Sequence, residues 1–188
     1  MKNEKKSVPL RFPVLEHGAE SLVQGYLMRR NILTYQAPRK NEGYDLICIH
    51  PEPRKVKRIV RVQVKSRYQT DCDRSIIVPW KSRHKFDFAV AVFLNVGNFF
   101  GRAGRLGDAA CEPEFFTLPA AWIERHRSKG SSWGKVSLKS RGIDRFKNDD
   151  GFELIARRLR VSRPARAQRT VQMPAGRRRN GQRPMTDL

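Results

Sequence analysis

The sequence predicts a mixed α/β domain, a central β-sheet with helices on its flanks, followed by a disordered basic tail. Three observations carry this. Leu46-Ile47-Cys48-Ile49 and Ile59-Val60-Arg61-Val62-Gln63-Val64 are rich in branched apolar residues and flank a proline-containing polar stretch, so they read as strands joined by a turn. Upstream, Leu15, Ala19, Leu22, Val23, Tyr26 and Leu27 follow helical spacing, which suits an amphipathic helix packed on that sheet. Downstream, Phe88-Ala89-Val90-Ala91-Val92-Phe93 is apolar throughout, as a strand covered on both faces must be.

The elements follow in order. A helix spans 16–30, with strands near 44–50, 58–66 and 74–79 and a buried strand at 87–94. Residues 95–112 form a Gly-rich loop, followed by a strand at 113–118. Pro119 suits the first turn of a helix running from Ala120 to Arg127. A last helix runs from Gly151 to Arg160 on the stripe Phe152, Ile155 and Leu159. No internal repeat is visible. One domain fits this length, so residues 1–14 read as a flexible lead, 15–156 as the domain and 157–188 as a disordered Arg-rich tail.

Pairing the first two strands about Arg54 sets Asp45 opposite Gln63, each nine residues from the centre. Gln63 and Lys65 then share one sheet face, and Val60, Val62 and Val64 the other. A carboxylate, an amide oxygen and an ammonium converge at one end of the hairpin, a set suited to cleaving phosphodiesters. A hard cation such as Mg2+ takes oxygen ligands, commonly one or two carboxylates with water and substrate phosphate. Lys65 would then serve the attacking water or neutralise charge on the phosphate. A bland alternative stands beside this: an Asp45–Lys65 ion pair within the sheet, with Gln63 incidental. Spacing alone leaves both open, although buried ion pairs are weak stabilisers. Glu16, Glu20 and Gln24 fall four apart along the polar border of the helix. Glu20 could supply the second carboxylate, while Glu16 and Gln24 read better as solvated surface groups.

Gly18-Ala19-Glu20 in a helix, Tyr44-Asp45-Leu46-Ile47 and Val62-Gln63-Val64-Lys65-Ser66 together resemble the PD-(D/E)XK nuclease superfamily. Within it they most resemble the branch of intron-associated homing endonucleases, where Gln replaces the second acid; Holliday-junction resolvases share the layout. The likeness covers roughly residues 15–125, and Tyr44 stands where the motif carries Pro. It implies a restriction-endonuclease-like core and an active site of Glu20, Asp45, Gln63 and Lys65, with Ser66 a weaker candidate. Glu20, Asp45 and Gln63 would hold Mg2+, or Mn2+ as a substitute, and hydrolysis would leave a 5′-phosphate. No small-molecule cofactor is implied.

Charge points to the same partner. The chain has 39 Lys plus Arg against 18 Asp plus Glu, a formal net charge of +21, the footprint of a polyanion binder with nucleic acid as first candidate. No apolar run is long enough to span a membrane and no amphipathic helix gathers its cations on one face, so no membrane partner is expected. The first residues lack a secretory apolar stretch, which suggests a cytoplasmic setting. From Arg157 to Leu188 there are ten Arg and one acid, Arg177, Arg178 and Arg179 among them. Trp80, Lys81, Arg83 and Lys85 form a candidate DNA-facing turn, and Arg102 and Arg105 of the Gly-rich loop are candidate backbone contacts. Ser128 to Lys135 has a similar composition. The glycines of residues 97–107 match neither a dinucleotide nor a P-loop spacing. Cys48, Cys72 and Cys111 show no paired or zinc-like spacing and read as free thiols, Cys48 in the core.

The reading is a Mg2+-dependent DNA endonuclease working as a symmetric dimer, since one centre cuts one strand. Its rivals are a catalytically inactive nucleic-acid-binding protein on the same fold and a basic RNA-binding protein. Removing the Arg-rich tail should weaken DNA binding without abolishing it. If about six phosphates are neutralised, log affinity should fall against log salt with a slope near −5, read by fluorescence anisotropy across a salt series.

Overall fold

The computed structural model describes residues 11–38, 41, 43–82, 84–98, 109–128 and 134–161. In chain order these form α1 (Phe12–Met28), β1 (Leu33–Gln36), β2 (Leu46–Ile49), β3 (Val60–Arg67), β4 (Ser75–Ile77), β5 (Phe88–Phe93), β6 (Glu114–Pro119), α2 (Ala120–His126), β7 (Lys135–Ser137) and α3 (Asn148–Leu159). The five-stranded sheet has the order β1-β2-β3-β5-β6, and β4 pairs with β7 in a separate two-stranded ribbon. Only β3 and β5 run parallel in the main sheet; its other neighbours are antiparallel. The mixed α/β class predicted from sequence is the one observed.

Alternation along the strands divides the core in two. Val60, Val62, Phe88, Val90 and Val92 pack with Ala19, Val23 and Leu27 of α1 and with Phe152, Ile155 and Leu159 of α3. Ala89, Ala91 and Phe93 face the opposite way, onto Ile76 and Val136 of the ribbon and Trp122 and Ile123 of α2. β5 is thus buried on both faces, which is why its sequence carries no polar residue. Cys48 lies in the first core, where burial pushes its thiol up to about 12.

Two strands were not foreseen. β1 is four residues long with half its side chains exposed, and β7 is three, too short for either to show a period. α1 begins at Phe12, inside the segment expected to be flexible, because Pro13 is accommodated in a first turn. It closes where the Ile32 N–H returns to the Leu27 carbonyl at 3.2 Å past Asn31, whose φ is +60°. α3 starts at Asn148, whose Oδ1 accepts the Phe115 N–H at 2.9 Å and ties the helix to β6. At its far end Leu159 and Val161 are buried, so the fold continues past the composition-based boundary at residue 156. Pro119 ends β6 in extended conformation and caps α2 instead of entering its first turn. Among the described residues no helix is long and apolar enough to cross a membrane.

α3 sits close to the chain before it. A Cβ added at Gly151 would fall 2.1 Å from the Phe146 carbonyl oxygen and 3.1 Å from Thr117 Cβ. Gly151→Ala should therefore destabilise through overpacking, by ~2 kcal/mol. Circular-dichroism melting should show a Tm lower by about 5 °C for a chain of this size.

Candidate active site

β2 and β3 pair at Leu46–Val62, Ile47–Arg61 and Cys48–Val60, the register centred on Arg54 that the sequence predicts. β3 then runs on beside β5 to the Arg67–Phe93 pair, so past Val62 its outer edge has no strand partner among the described residues. At that fork the ladder slips by one residue. The Asp45 N–H donates to the Val62 carbonyl at 2.9 Å, although Val62 already faces Leu46. Two residues against one is the count of a β-bulge, a device that re-aims a side chain. Asp45 is therefore not squarely opposite Gln63, as an unbroken hairpin would have it. Its Oδ2 accepts the Val64 N–H at 2.6 Å, and its own carbonyl accepts the Ala37 N–H at 2.8 Å. The carboxylate lies against the β3 backbone between Gln63 and Lys65.

The surroundings of Asp45 are tight. Gly43, two residues earlier, has φ +104°, a conformation that L side chains rarely adopt, and an added Cβ would sit 2.2 Å from Lys85 Cβ. The turn that holds Lys85 thus packs on the loop leading into Asp45. Lys81 of that turn is exposed and Lys85 half-buried. The Trp80 side chain, Arg83, Arg102, Arg105 and Arg177 to Arg179 lie outside the described residues, as do residues 129–133 of the Ser128–Lys135 stretch.

Electrostatics join the strand groups to α1. Burial raises the pKa of Asp45, the Val64 N–H and then Lys65 oppose that rise, and Glu16 adds to it. Glu20 is raised by its own burial and next by the charge of Asp45, with His17, 3.6 Å away, pulling the other way. Lys65 is lowered by burial, against the pull of Asp45 and Glu16. Among the described residues Asp45 and Lys65 make no ion pair within 4 Å, so the salt-bridge alternative is not realised; the carboxylate bonds backbone instead. Gln63 is 6 % exposed, and its Oε1 is buried with no hydrogen-bond partner among the described residues.

Glu16 is exposed, as expected of a surface charge, and it also borders this neighbourhood. It bears on Glu20, Asp45 and Lys65 and accepts a 3.4 Å hydrogen bond from Tyr68 Oη. Ser66 Oγ contacts that hydroxyl at 3.5 Å, and Phe12 stacks on the Tyr68 ring at 5.3 Å. Its spacing from Glu20 was the available signal; nothing in the sequence marked Tyr68.

The donors suit a hard cation. Among the described residues no three His, Cys, Asp or Glu groups gather as a metal cluster, so an ion at the fork would draw on Glu20, Asp45 and the amide oxygen of Gln63. Two carboxylates and a neutral oxygen is a donor set that Mg2+ accepts, completed by water and phosphate. The unpartnered Gln63 Oε1 is the observation that fits: a buried oxygen without a donor is costly unless something takes its lone pairs.

Among solved structures the chain is similar to a bacterial homing endonuclease, I-Ssp6803I, at 16% identity, over 80% of this chain and 94% of that one, with a TM-score of 0.46. No protein-family model matches the chain, and no curated protein does.

The raised carboxylates carry a stability consequence. Where the folded pKa lies above the unfolded one, the folded state binds more protons, and stability falls as pH rises from the unfolded value through the folded value. Lys65 is opposite in sign: its lowered folded value makes stability rise with pH between the folded and unfolded values. At neutral pH both represent unreleased burial penalties. Asp45→Asn keeps an acceptor for the Val64 N–H and removes the charge, so it should stabilise the fold by ~1 kcal/mol. Its Tm advantage over wild type should shrink as pH is lowered through the carboxylate range, read by scanning fluorimetry.

Proposed function

We propose that this chain is a divalent-metal-dependent endonuclease acting on DNA. The observation that carries the reading is the Asp45 carboxylate clasped by the Val64 N–H, flanked by the unpartnered Gln63 Oε1 and by Lys65, with Glu20 close enough for the charge of Asp45 to raise its pKa. The net charge of +21 supplies attraction for the phosphate backbone.

Each group has a part. Glu20, Asp45 and Gln63 would hold Mg2+, which when bound polarises a phosphoryl oxygen and acidifies a coordinated water. The Val64 N–H fixes the Asp45 carboxylate so that its free oxygen keeps one orientation. Lys65, brought toward neutrality by burial, takes a proton from the attacking water, or as a cation offsets charge growing on the phosphate. Hydrolysis leaving a 5′-phosphate is the product pattern that the motif resemblance implies. Cutting both strands of a duplex calls for two such centres, hence a symmetric dimer.

One observation favours a second reading, a non-cleaving DNA-binding protein on this fold: β3 carries Gln63 where the motif has its second acid, and among the described residues no three acid, His or Cys groups gather as a metal cluster. A cleavage assay separates the two. Duplex, branched and single-stranded DNA are incubated with and without Mg2+. Under the endonuclease reading Lys65→Ala lowers the cleavage rate by about 10²-fold or more while DNA affinity in EDTA changes little. Absence of Mg2+-dependent cutting across the whole panel by wild type would select the binding reading.

The two roles of Lys65 differ in pH. As a base it must be neutral, so the rate should climb with pH and level off above its folded pKa, below the usual lysine value of about 10.4. Lys65→Arg keeps charge but cannot deprotonate, so it should abolish cleavage in the base role and retain much of it in the electrostatic role.

A further inference from the structure

A second basic concavity lies at the other end of the β2–β3 hairpin. A cavity of about 370 Å³ opens between the hairpin turn and the end of α3, lined by His50, Lys55, Lys57, Arg58, Leu159 and Arg160. Asp45 and His50 stand at opposite ends of β2, five residues apart, or ~16 Å in extended chain, so the cavity is distinct from the fork. Among the described residues its lining holds four cations and no acid, and none of the four has a carboxylate in salt-bridge reach.

The lining is built rather than merely charged. His50 is 9 % exposed, and its Nδ1 accepts the Glu52 N–H at 3.0 Å. That bond makes Nε2 the protonated nitrogen of the neutral ring, so His50 brings a donor to the cavity. Pro51 and Pro53 restrict the loop, and a short 3-10 turn at Pro53–Lys55, capped by Glu52, fixes its path. The backbone that carries Lys55 is therefore preorganised. Arg160 has φ +59°, a left-handed position that glycine would occupy without strain. Two carbonyls in the last turn of α3 are engaged, Ala156 by the Val161 N–H and Arg157 by the Arg160 N–H. What α3 and its cap contribute to the lining is Leu159 and Arg160.

We propose that this cavity is a phosphate-binding site, separate from the cleavage centre, in which His50 donates through Nε2 and Lys55, Lys57, Arg58 and Arg160 neutralise the anion. The phosphate comes either from a nucleic-acid backbone or from a free phosphate or phosphate monoester; charge and donor chemistry are the same for both.

The test uses the full-length chain in EDTA, so a protein that never cleaves DNA still reports on the cavity and the two proposals fail separately. Inorganic phosphate is titrated while the His50 side-chain resonances are followed by 15N NMR. A saturable shift is expected in wild type and its loss in a Lys57→Ala/Arg58→Ala double variant. A duplex DNA is then titrated over a salt series with the same variant and with Lys139→Ala/Arg141→Ala, whose exposed cations lie elsewhere. If the ligand is backbone phosphate, the cavity variant lowers the log–log salt slope by about two and the control does not. If phosphate shifts His50 while the cavity variant leaves the DNA slope at the control's value, the site holds and its ligand is free phosphate or a monoester. Arg160→Gly guards against misfolding as the cause: it should keep or raise Tm while weakening the phosphate shift. No saturable His50 shift, together with equal slopes for cavity and control variants, overturns the site.

Discussion

One hydrogen bond organises the candidate centre, the 2.6 Å contact from the Val64 N–H to Asp45 Oδ2. β3 outruns its partner β2, and an unpaired amide on an otherwise sheeted strand needs an acceptor. Asp45 supplies it with a side chain where a longer β2 would have supplied a carbonyl. The same bond that completes the sheet edge thereby draws a carboxylate to the strand that carries Gln63 and Lys65. Fold and site share one contact.

That sharing explains why the site is built against its own stability. Glu20 and Asp45 are both pushed up and Lys65 is pushed down, chiefly by burial, so each ionisable group is held in an environment that opposes its charge. A direct Asp45–Lys65 bridge would relieve part of this, yet the carboxylate is committed to backbone. Groups kept charged and incompletely compensated respond strongly to whatever else enters, and a hard cation or a phosphate relieves opposite members of the set. The orphaned Gln63 Oε1 belongs to the same pattern. An apolar residue at 63 would face Ala89 across β3 and β5 with no polar atom to leave unsatisfied.

Much of this was legible in the residues. Branched apolar runs around a Pro-containing turn gave both strands and the Arg54-centred register, because period-two patterning over a long hairpin leaves one pairing that buries the valines. Helical spacing gave α1 and α3, and unbroken apolarity gave β5. What stayed hidden were features decided by other parts of the chain. β1 and β7 are too short to carry a period and exist because β2 and β4 offer them edges. The bulge at Asp45 depends on where β2 stops pairing, which no local pattern records. Glu16 is exposed, as a solvated helix charge should be, and its contact with Tyr68, just past the end of β3, is set by tertiary packing that no local pattern records.

The two ends of the β2–β3 hairpin carry opposite electrostatic designs. At the fork, carboxylates and a depressed lysine sit half-buried; at the turn, exposed cations surround a buried histidine donor. The connecting strands are short and rigid, so a phosphate held at the turn would stand at a fixed offset from the fork, ~16 Å or about five base-pair rises of a duplex. A polyanion gripped at the turn loses freedom before it meets the acids. That orders the two regions physically: cations at the turn attract a polyanion without pairing with the carboxylates at the fork, whose own burial opposes their charge.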